Sequence, residues 1–278
     1  MTTTRTSLFA STELAARVER AESEMIALCA TGEADDGFVV PLGGGHASYA
    51  GPNSPFNKVS GLGFTGLPDA SSIAAVEALY AERGTVAQFE VSQLAEPGLA
   101  MDLTRRGYQL VSFENVLGCR LDDSLPAVRP SPGIVVEHCD DRIDEWLAVV
   151  LPGSLAPDTV GLEQHESFPV EELERAERAG VRAGARLYLA SLDGAPAGGG
   201  SIRFAGGIAQ LTGAATVPEH RRRGVQSALV RTRLDDARRA GCDLAVVTCQ
   251  PGSTSQANMQ KLGFDLLYTR AVLLGPPN

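Results

Sequence analysis

Short apolar runs punctuated by glycine divide the chain, and their period changes along it in a readable way. In the second part, the β-branched run at 134–137 predicts a first strand, and an acidic-capped stretch at 140–150 holding Trp146 predicts the helix after it. A second helix is expected over 170–179. Strands follow at 186–191, 197–204 and 208–217, separated by Asp193-Gly194 and Gly206-Gly207, dipeptides that favour tight hairpins. A helix over 224–240, a buried strand over 244–248, a helix over 254–262 and a strand over 264–274 complete the order β-α-α-β-β-β-α-β-α-β. The helix over 224–240 is only moderately amphipathic, because Asp236 falls on the side carrying Val225, Ala228, Leu229 and Thr232.

The pattern occurs twice. Gly263-Phe264 before the last strand has a counterpart in Gly107-Tyr108, 156 positions earlier, and Gly241 before the buried strand has one in Gly84, 157 positions earlier. Each is a helix stopped by glycine and followed by a strand, and two such junctions at nearly one spacing point to a duplication. The halves are placed at 1–122 and 133–278, with the stretch 122–133 and its Pro126, Pro130 and Pro132 as the linker.

With 278 residues, 44% of them hydrophobic, each half can bury a core. A formal net charge of −10 argues against a nucleic-acid partner, since non-specific affinity for a phosphate backbone needs a basic surface. Cys29, Cys119, Cys139, Cys242 and Cys249 are odd in number and widely spaced, which suits reduced thiols and no metal site. The N-terminus has no signal-like apolar run and no stretch approaches a membrane span, so a cytoplasmic protein is expected.

One segment departs from this acidic background. Thr216-Val217-Pro218 leads through Glu219-His220 to Arg221-Arg222-Arg223-Gly224 and then into a helix. A helix N-terminus presents unpaired N–H groups and a favourable dipole, glycine lets the backbone approach an anion, and the arginines add charge, so the segment suits a diphosphate. No Gly-Lys-Ser/Thr triplet follows, which disfavours a P-loop nucleotidase.

These residues resemble the coenzyme A loop of the GNAT acetyltransferase superfamily, where Val-x-Pro precedes Arg/Gln-x-x-Gly-x-Gly/Ala. Gln226 stands where the family has Gly or Ala, a position inside the helix that needs no positive φ. The resemblance implies an α/β (α+β) protein with two GNAT-like domains, each a mixed, mostly antiparallel sheet flanked by helices. The second would bind cofactor. The first, with Gly61-Leu62-Gly63 at the equivalent place and no arginine, would be degenerate and wall the acceptor cleft. The implied activity is N-acetyl transfer from acetyl-coenzyme A, as co-substrate, to the primary amine of a small molecule. Alternatives are a non-catalytic acyl-coenzyme A sensor and an unrelated phosphate-ligand module.

By the same resemblance, Ala215, Thr216 and Val217 pair with the pantetheine arm, Arg222, Arg223, Gly224, Val225, Gln226 and Ser227 hold the diphosphate, and Asn258 hydrogen-bonds the cofactor arm. The family's acid is a tyrosine four residues before the Gly-Phe pair, and here that position is Met259. Tyr188 and Tyr268 read as core or cleft-wall aromatics. The strand at 208–217 carries no glutamate to act as base, which leaves His165 and Glu166 between the first two helices as catalytic candidates. In the first half, Gly43-Gly44-Gly45-His46 and the segment 53–58 are candidate cleft loops.

Overall fold

The computed structural model describes residues 7–122, 132–156 and 166–277. Its first half runs α1 (Thr12–Ala30), β1 (Phe38–Leu42), β2 (Gly45–Tyr49), β3 (Lys58–Ser60), α2 (Ala70–Ala81), β4 (Gln88–Ser92), α3 (Pro97–Arg105) and β5 (Gln109–Arg120). The second runs β6 (Ile134–His138), α4 (Ile143–Leu155), α5 (Val170–Arg182), β7 (Arg186–Leu192), β8 (Ala195–Ala205), β9 (Ile208–Thr216), α6 (Val225–Arg239), β10 (Leu244–Cys249), α7 (Thr254–Lys261) and β11 (Asp265–Leu274). Most of the expected linker lies outside the described residues. Among them, no helix is long and apolar enough to cross a membrane.

The described strands form one mixed, mostly antiparallel sheet in the order β1-β2-β3-β4-β11-β5-β10-β9-β8-β7-β6, with helices on both faces. Its two parallel contacts, β3 with β4 and β9 with β10, fall at the same place in each half. The halves are fused by an exchange of last strands. β4 pairs with β11, β10 pairs with β5, and β5 and β11 pair with each other at the centre. Neither half keeps its own last strand beside its own penultimate one.

The exchange has a consequence for folding, because a strand that loses its partner becomes an open edge. Residues 1–122 or 133–278 produced alone are expected to aggregate, and co-production is expected to restore soluble protein. A 133–278 fragment that is soluble, monomeric and melts cooperatively would contradict this pairing.

Close packing of helices on β8 fixes the second half. Gly199 and Gly200 face opposite sides of the sheet, as successive strand residues do. A Cβ at Gly199 would lie 2.7 Å from Trp146 Nε1, and one at Gly200 would lie 2.9 Å from the guanidinium carbon of Arg233. The glycines therefore let α4 and α6 approach the strand from its two faces. Trp146 Nε1 donates to the Tyr188 carbonyl at 3.1 Å, and the buried Arg233 donates to the carbonyls of Ser201 at 2.7 Å and Leu229 at 3.2 Å. Asp236, the polar residue on the inner side of α6, accepts from the Tyr188 hydroxyl at 2.9 Å and contacts His138 Nε2 at 2.9 Å.

The seam between halves is polar as well as apolar. Arg270 of β11 and Glu19 of α1, each 1% exposed, pair at 2.7 Å, and the Tyr268 hydroxyl donates to the same Glu19 oxygen at 2.7 Å. Glu114 at 3.5 Å, Glu22 at 3.8 Å and Glu90 at 3.9 Å also surround the Arg270 guanidinium, and Lys58 holds Glu90 at 2.5 Å. Burial raises the Glu114 carboxyl to about 7, with repulsion from Glu90 adding to it.

Candidate active site

The centre of the second half is an opening between two parallel strands. β9 and β10 pair only at Ile208–Leu244, Ala209–Ala245 and Gln210–Val246, although β9 runs on to Thr216 and β10 to Cys249. From Leu211 onward β9 has no strand partner on that side among the described residues. On its other side the ladder with β8 slips between the pairs Gly199–Ala215 and Ser201–Thr212, so Gly213 and Ala214 together stand opposite Gly200. This is a β-bulge, a device that bends a strand and re-aims its groups. Gly213 takes φ +41°, Ser201 and Thr212 hydroxyls bond at 2.8 Å, and Arg233 reaches the Thr212 carbonyl at 3.4 Å.

Downstream, β9 leads through a short 3-10 turn at Pro218–His220 into the arginine loop. Arg222 has φ +60° and Gly224 φ +89°, and α6 starts without a side-chain cap. A non-glycine residue at positive φ costs of order 1–3 kcal/mol and persists where its surroundings impose it. The result is an exposed helix mouth with unsatisfied N–H groups.

The three arginines divide. Arg221 turns inward and donates to the carbonyls of Thr216 at 3.3 Å, Gly153 at 3.1 Å and Ala156. That corrects the expectation that all three supply charge to a ligand: Arg221 ties the end of α4 to the end of β9. Arg223 makes an exposed pair with Asp193 at 3.1 Å, of the weak and exchangeable kind. Arg222 is exposed, with no ion-pair partner among the described residues.

Other sequence candidates are brought together unevenly. Asn258 of α7 donates to Gln226 in the first turn of α6 at 2.8 Å, so these two family-implied cofactor residues bridge the helices beside the opening. Met259, at the position of the family tyrosine, is 3% exposed and packs in the core. Both Tyr188 and Tyr268 are buried with their hydroxyls on carboxylates. His165 lies outside the described residues. Glu166 faces Lys58: burial disfavours that ammonium, but Glu90, Glu114 and Glu166 more than offset it and hold the proton. Gly43 and Gly44 form the β1–β2 hairpin turn, and His46 bonds Ser23 at 2.9 Å.

Beside the bulge lies a cavity of about 250 Å³ between the halves. Met25 and Cys29 of α1 and Pro55 and Phe56 of the first half close one side, so the segment 53–58 does reach it. The second half closes the other side from α5, β7, β8 and the bulge residues Thr212 and Gly213. Glu177 of α5 projects to the bulge. A Cβ at Gly213 would lie 2.5 Å from its Oε2 and 3.0 Å from its Oε1, so the carboxylate sits directly against the glycine. Glu177 has no hydrogen-bond or ion-pair partner among the described residues, and burial alone raises its carboxyl to about 7.

Sequence reasoning passed over Glu177 because it looked for a base on β9 and, finding none, turned to His165 and Glu166 before α5. A signal was present: Leu173, Ala176, Glu177 and Gly180 share one helical face at the spacing i, i+3, i+4, i+7. A glutamate in an otherwise apolar stripe marks a carboxylate turned inward.

Comparison with known proteins agrees with the geometry. Residues 151–264 match the model of the acetyltransferase (GNAT) family, so the second half of the chain carries a GNAT acetyltransferase domain, of the acyltransferase class. A search of curated proteins finds no match. The chain is similar in structure to a GCN5-related N-acetyltransferase from Kribbella flavida, with a TM-score of 0.69 and 19% identity over 95% of this chain and 96% of that one. It is also similar to a tandem GNAT protein from the clavulanic acid biosynthesis pathway, with a TM-score of 0.55 and 18% identity over 75% of this chain and 70% of that one. A GCN5-related N-acetyltransferase from Sphaerobacter thermophilus matches at a TM-score of 0.53 and 16% identity, over 75% of this chain and 68% of that one. At these identities the likeness is one of fold.

Proposed function

We propose that the protein transfers an acetyl group from acetyl-coenzyme A to the primary amine of a small molecule, with the second half holding the donor. The observation that carries this reading is the continuity between the unpaired edge of β9 and the uncapped mouth of α6. An extended arm can add to that edge as a strand does, while its diphosphate meets the first N–H groups of the helix. Ala215, Thr216 and Val217 would hold the arm, and Arg222 through Ser227 the diphosphate.

From Val217 back to Gly213 is roughly 13 Å at about 3.3 Å per residue, which puts the reacting end of such a donor beside the bulge. A main-chain N–H there would stabilise the oxyanion formed on attack. With Met259 buried and both tyrosines bound to carboxylates, no side chain near this path is offered as an acid. A thiolate is a good leaving group, and the proton released by the amine can satisfy it. The free, buried cysteines suit a reducing compartment such as the cytoplasm.

The test is turnover: the protein incubated with acetyl-coenzyme A and a panel of primary amines should release free thiol only when an amine is present. Donor binding without thiol release for any amine would make the protein a sensor. Gly224→Val provides a second check. A Cβ there meets only Ile134 Cδ1 at 3.7 Å, so the stability cost is confined to positive φ, about 1–2 kcal/mol, whereas coenzyme A binding should weaken at least thirtyfold. Calorimetry and thermal melting compare the two losses, and proportionate losses would mean that the loop is structural only.

A further inference from the structure

We infer that the cavity between the halves is the acceptor site, that it takes a singly charged primary amine with an apolar body, and that Glu177 both anchors the ammonium and removes its proton. This rests on the acyl-transfer reading and specifies the acceptor. Neither half contains the site alone, since α1 and the Pro55-Phe56 loop form one wall and α5 with the bulge forms the other.

The lining decides the chemistry. Met25, Phe56, Leu173 and Leu187 make most of the surface apolar. The polar groups are nearly all spoken for. Arg203 donates to the Ala183 carbonyl at 3.0 Å and to Gln210 at 2.8 Å, and the Ser201 and Thr212 hydroxyls bond each other. The Cys29 thiol is pushed up to about 12 by burial and stays neutral. Among the described lining residues Glu177 alone is left to recognise a ligand, and one carboxylate balances one ammonium. A polyamine would bring further charges with no partner in the cavity, and a sugar amine would bring hydroxyls with none, each costing free energy on desolvation.

Size agrees with the charge. A cavity of about 250 Å³ lies near the lower end of the roughly 300–1,000 Å³ usual for small-molecule pockets, room for a small amine such as phenylethylamine.

The reaction balances on these groups. The bound ammonium gives one proton to the Glu177 carboxylate, and the freed nitrogen lone pair attacks the thioester carbonyl carbon. As the C–N bond forms and the C–S bond breaks, sulfur leaves with the bonding electron pair and takes the second proton from nitrogen. Glu177 then returns its proton to solvent. An alkyl ammonium has an ordinary pKa near 10, so it needs a base poised near neutrality, and a half-buried carboxyl set against Gly213, raised by that burial, meets that need.

The experiment measures thiol release with phenylethylamine, ethylamine, spermidine and glucosamine. The wild-type protein should favour phenylethylamine in kcat/KM by at least tenfold over the others. Glu177→Gln should lower kcat/KM by about 10²–10⁴-fold while donor affinity, read by calorimetry, stays within twofold. Gly180→Leu fills the cavity from α5, where a Cβ meets nothing within 4 Å. It should raise the KM for phenylethylamine at least tenfold and that for ethylamine less than threefold. Preference for spermidine or glucosamine, or a Glu177→Gln protein within threefold of wild type, overturns the inference while acyl transfer stands. Donor binding with no thiol release from any amine overturns acyl transfer itself.

Discussion

Arg270→Leu is expected to destabilise the protein by about 3–5 kcal/mol, lowering the melting temperature by roughly 10 °C or more. The substitution removes the one guanidinium that Glu19 pairs with at 2.7 Å, and it leaves that carboxylate buried with only the Tyr268 hydroxyl. Glu22, Glu90 and Glu114, now without the charge that held them within 4 Å of one point, add repulsion. The deficit should have a definite pH dependence. A lone buried carboxylate has a raised pKa in the folded state, so its stability contribution is present at low pH and lost as pH rises through that value. The penalty should therefore be larger at pH 8 than at pH 5. Adding Glu19→Leu to Arg270→Leu should recover part of the loss, because it removes the fully buried unpaired carboxylate, while the Tyr268 hydroxyl loses its acceptor and Glu22, Glu90 and Glu114 stay without the guanidinium. Denaturant unfolding of the three proteins at both pH values measures this, and a penalty below about 1 kcal/mol at pH 8 would mean that the seam does not depend on the pair.

Glu177→Gln is expected to move stability in the opposite direction from activity. Burial raises the Glu177 carboxyl from its ordinary 4.5 to about 7. Below pH 4.5 the group is protonated in both folded and unfolded chains, and glutamine imitates it. As pH rises from 4.5 through 7, the unfolded chain ionises first, so the wild-type protein loses stability that the variant keeps. The difference should favour Glu177→Gln by about 1–3 kcal/mol at pH 8 and vanish near pH 4, reduced from the full shift because the residue is only half-buried. The groups facing Glu177 do not reverse this sign. Arg203 on β8 is held by other acceptors, Glu22 and Cys29 on α1 offer no cation, and Arg178 on α5 itself pairs with Asp144 and Glu174. Removing a costly carboxylate that serves chemistry would produce this combination. Equal melting temperatures at pH 8 would contradict the burial of the charge.

Much of the second half was legible because its signals are local. Gly224 and Gly241 mark the limits of α6, and Val225–Arg239 lies within one residue of the expected helix. β10 and β11 follow glycine stops and match their apolar runs. α4 runs to Leu155 rather than ending at 150, with Pro152 inside it, where proline removes one i→i−4 hydrogen bond.

What the sequence left hidden was of two physical kinds. Strand partnership is non-local: β5 and β11 share the same glycine-aromatic entry and similar periodicity, so nothing in either run says which of β4 and β10 it joins. Backbone geometry at single residues was equally silent. The positive φ of Arg222, the bulge at Gly213 and the inward turn of Arg221 depend on contacts with α4 and β8 that no spacing encodes. Glu177 lies between these cases, since its face on α5 could be read but the glycine that receives it, on a strand 36 positions later, could not.

The diphosphate cradle at the mouth of α6 is the claim on which the rest depends, and calorimetric titration with coenzyme A and with pantetheine, which lacks the diphosphate, tests it most directly. Saturable binding of coenzyme A, with pantetheine at least a hundredfold weaker, is the predicted result. Equal affinities for the two, or no heat of binding at millimolar coenzyme A, would contradict it.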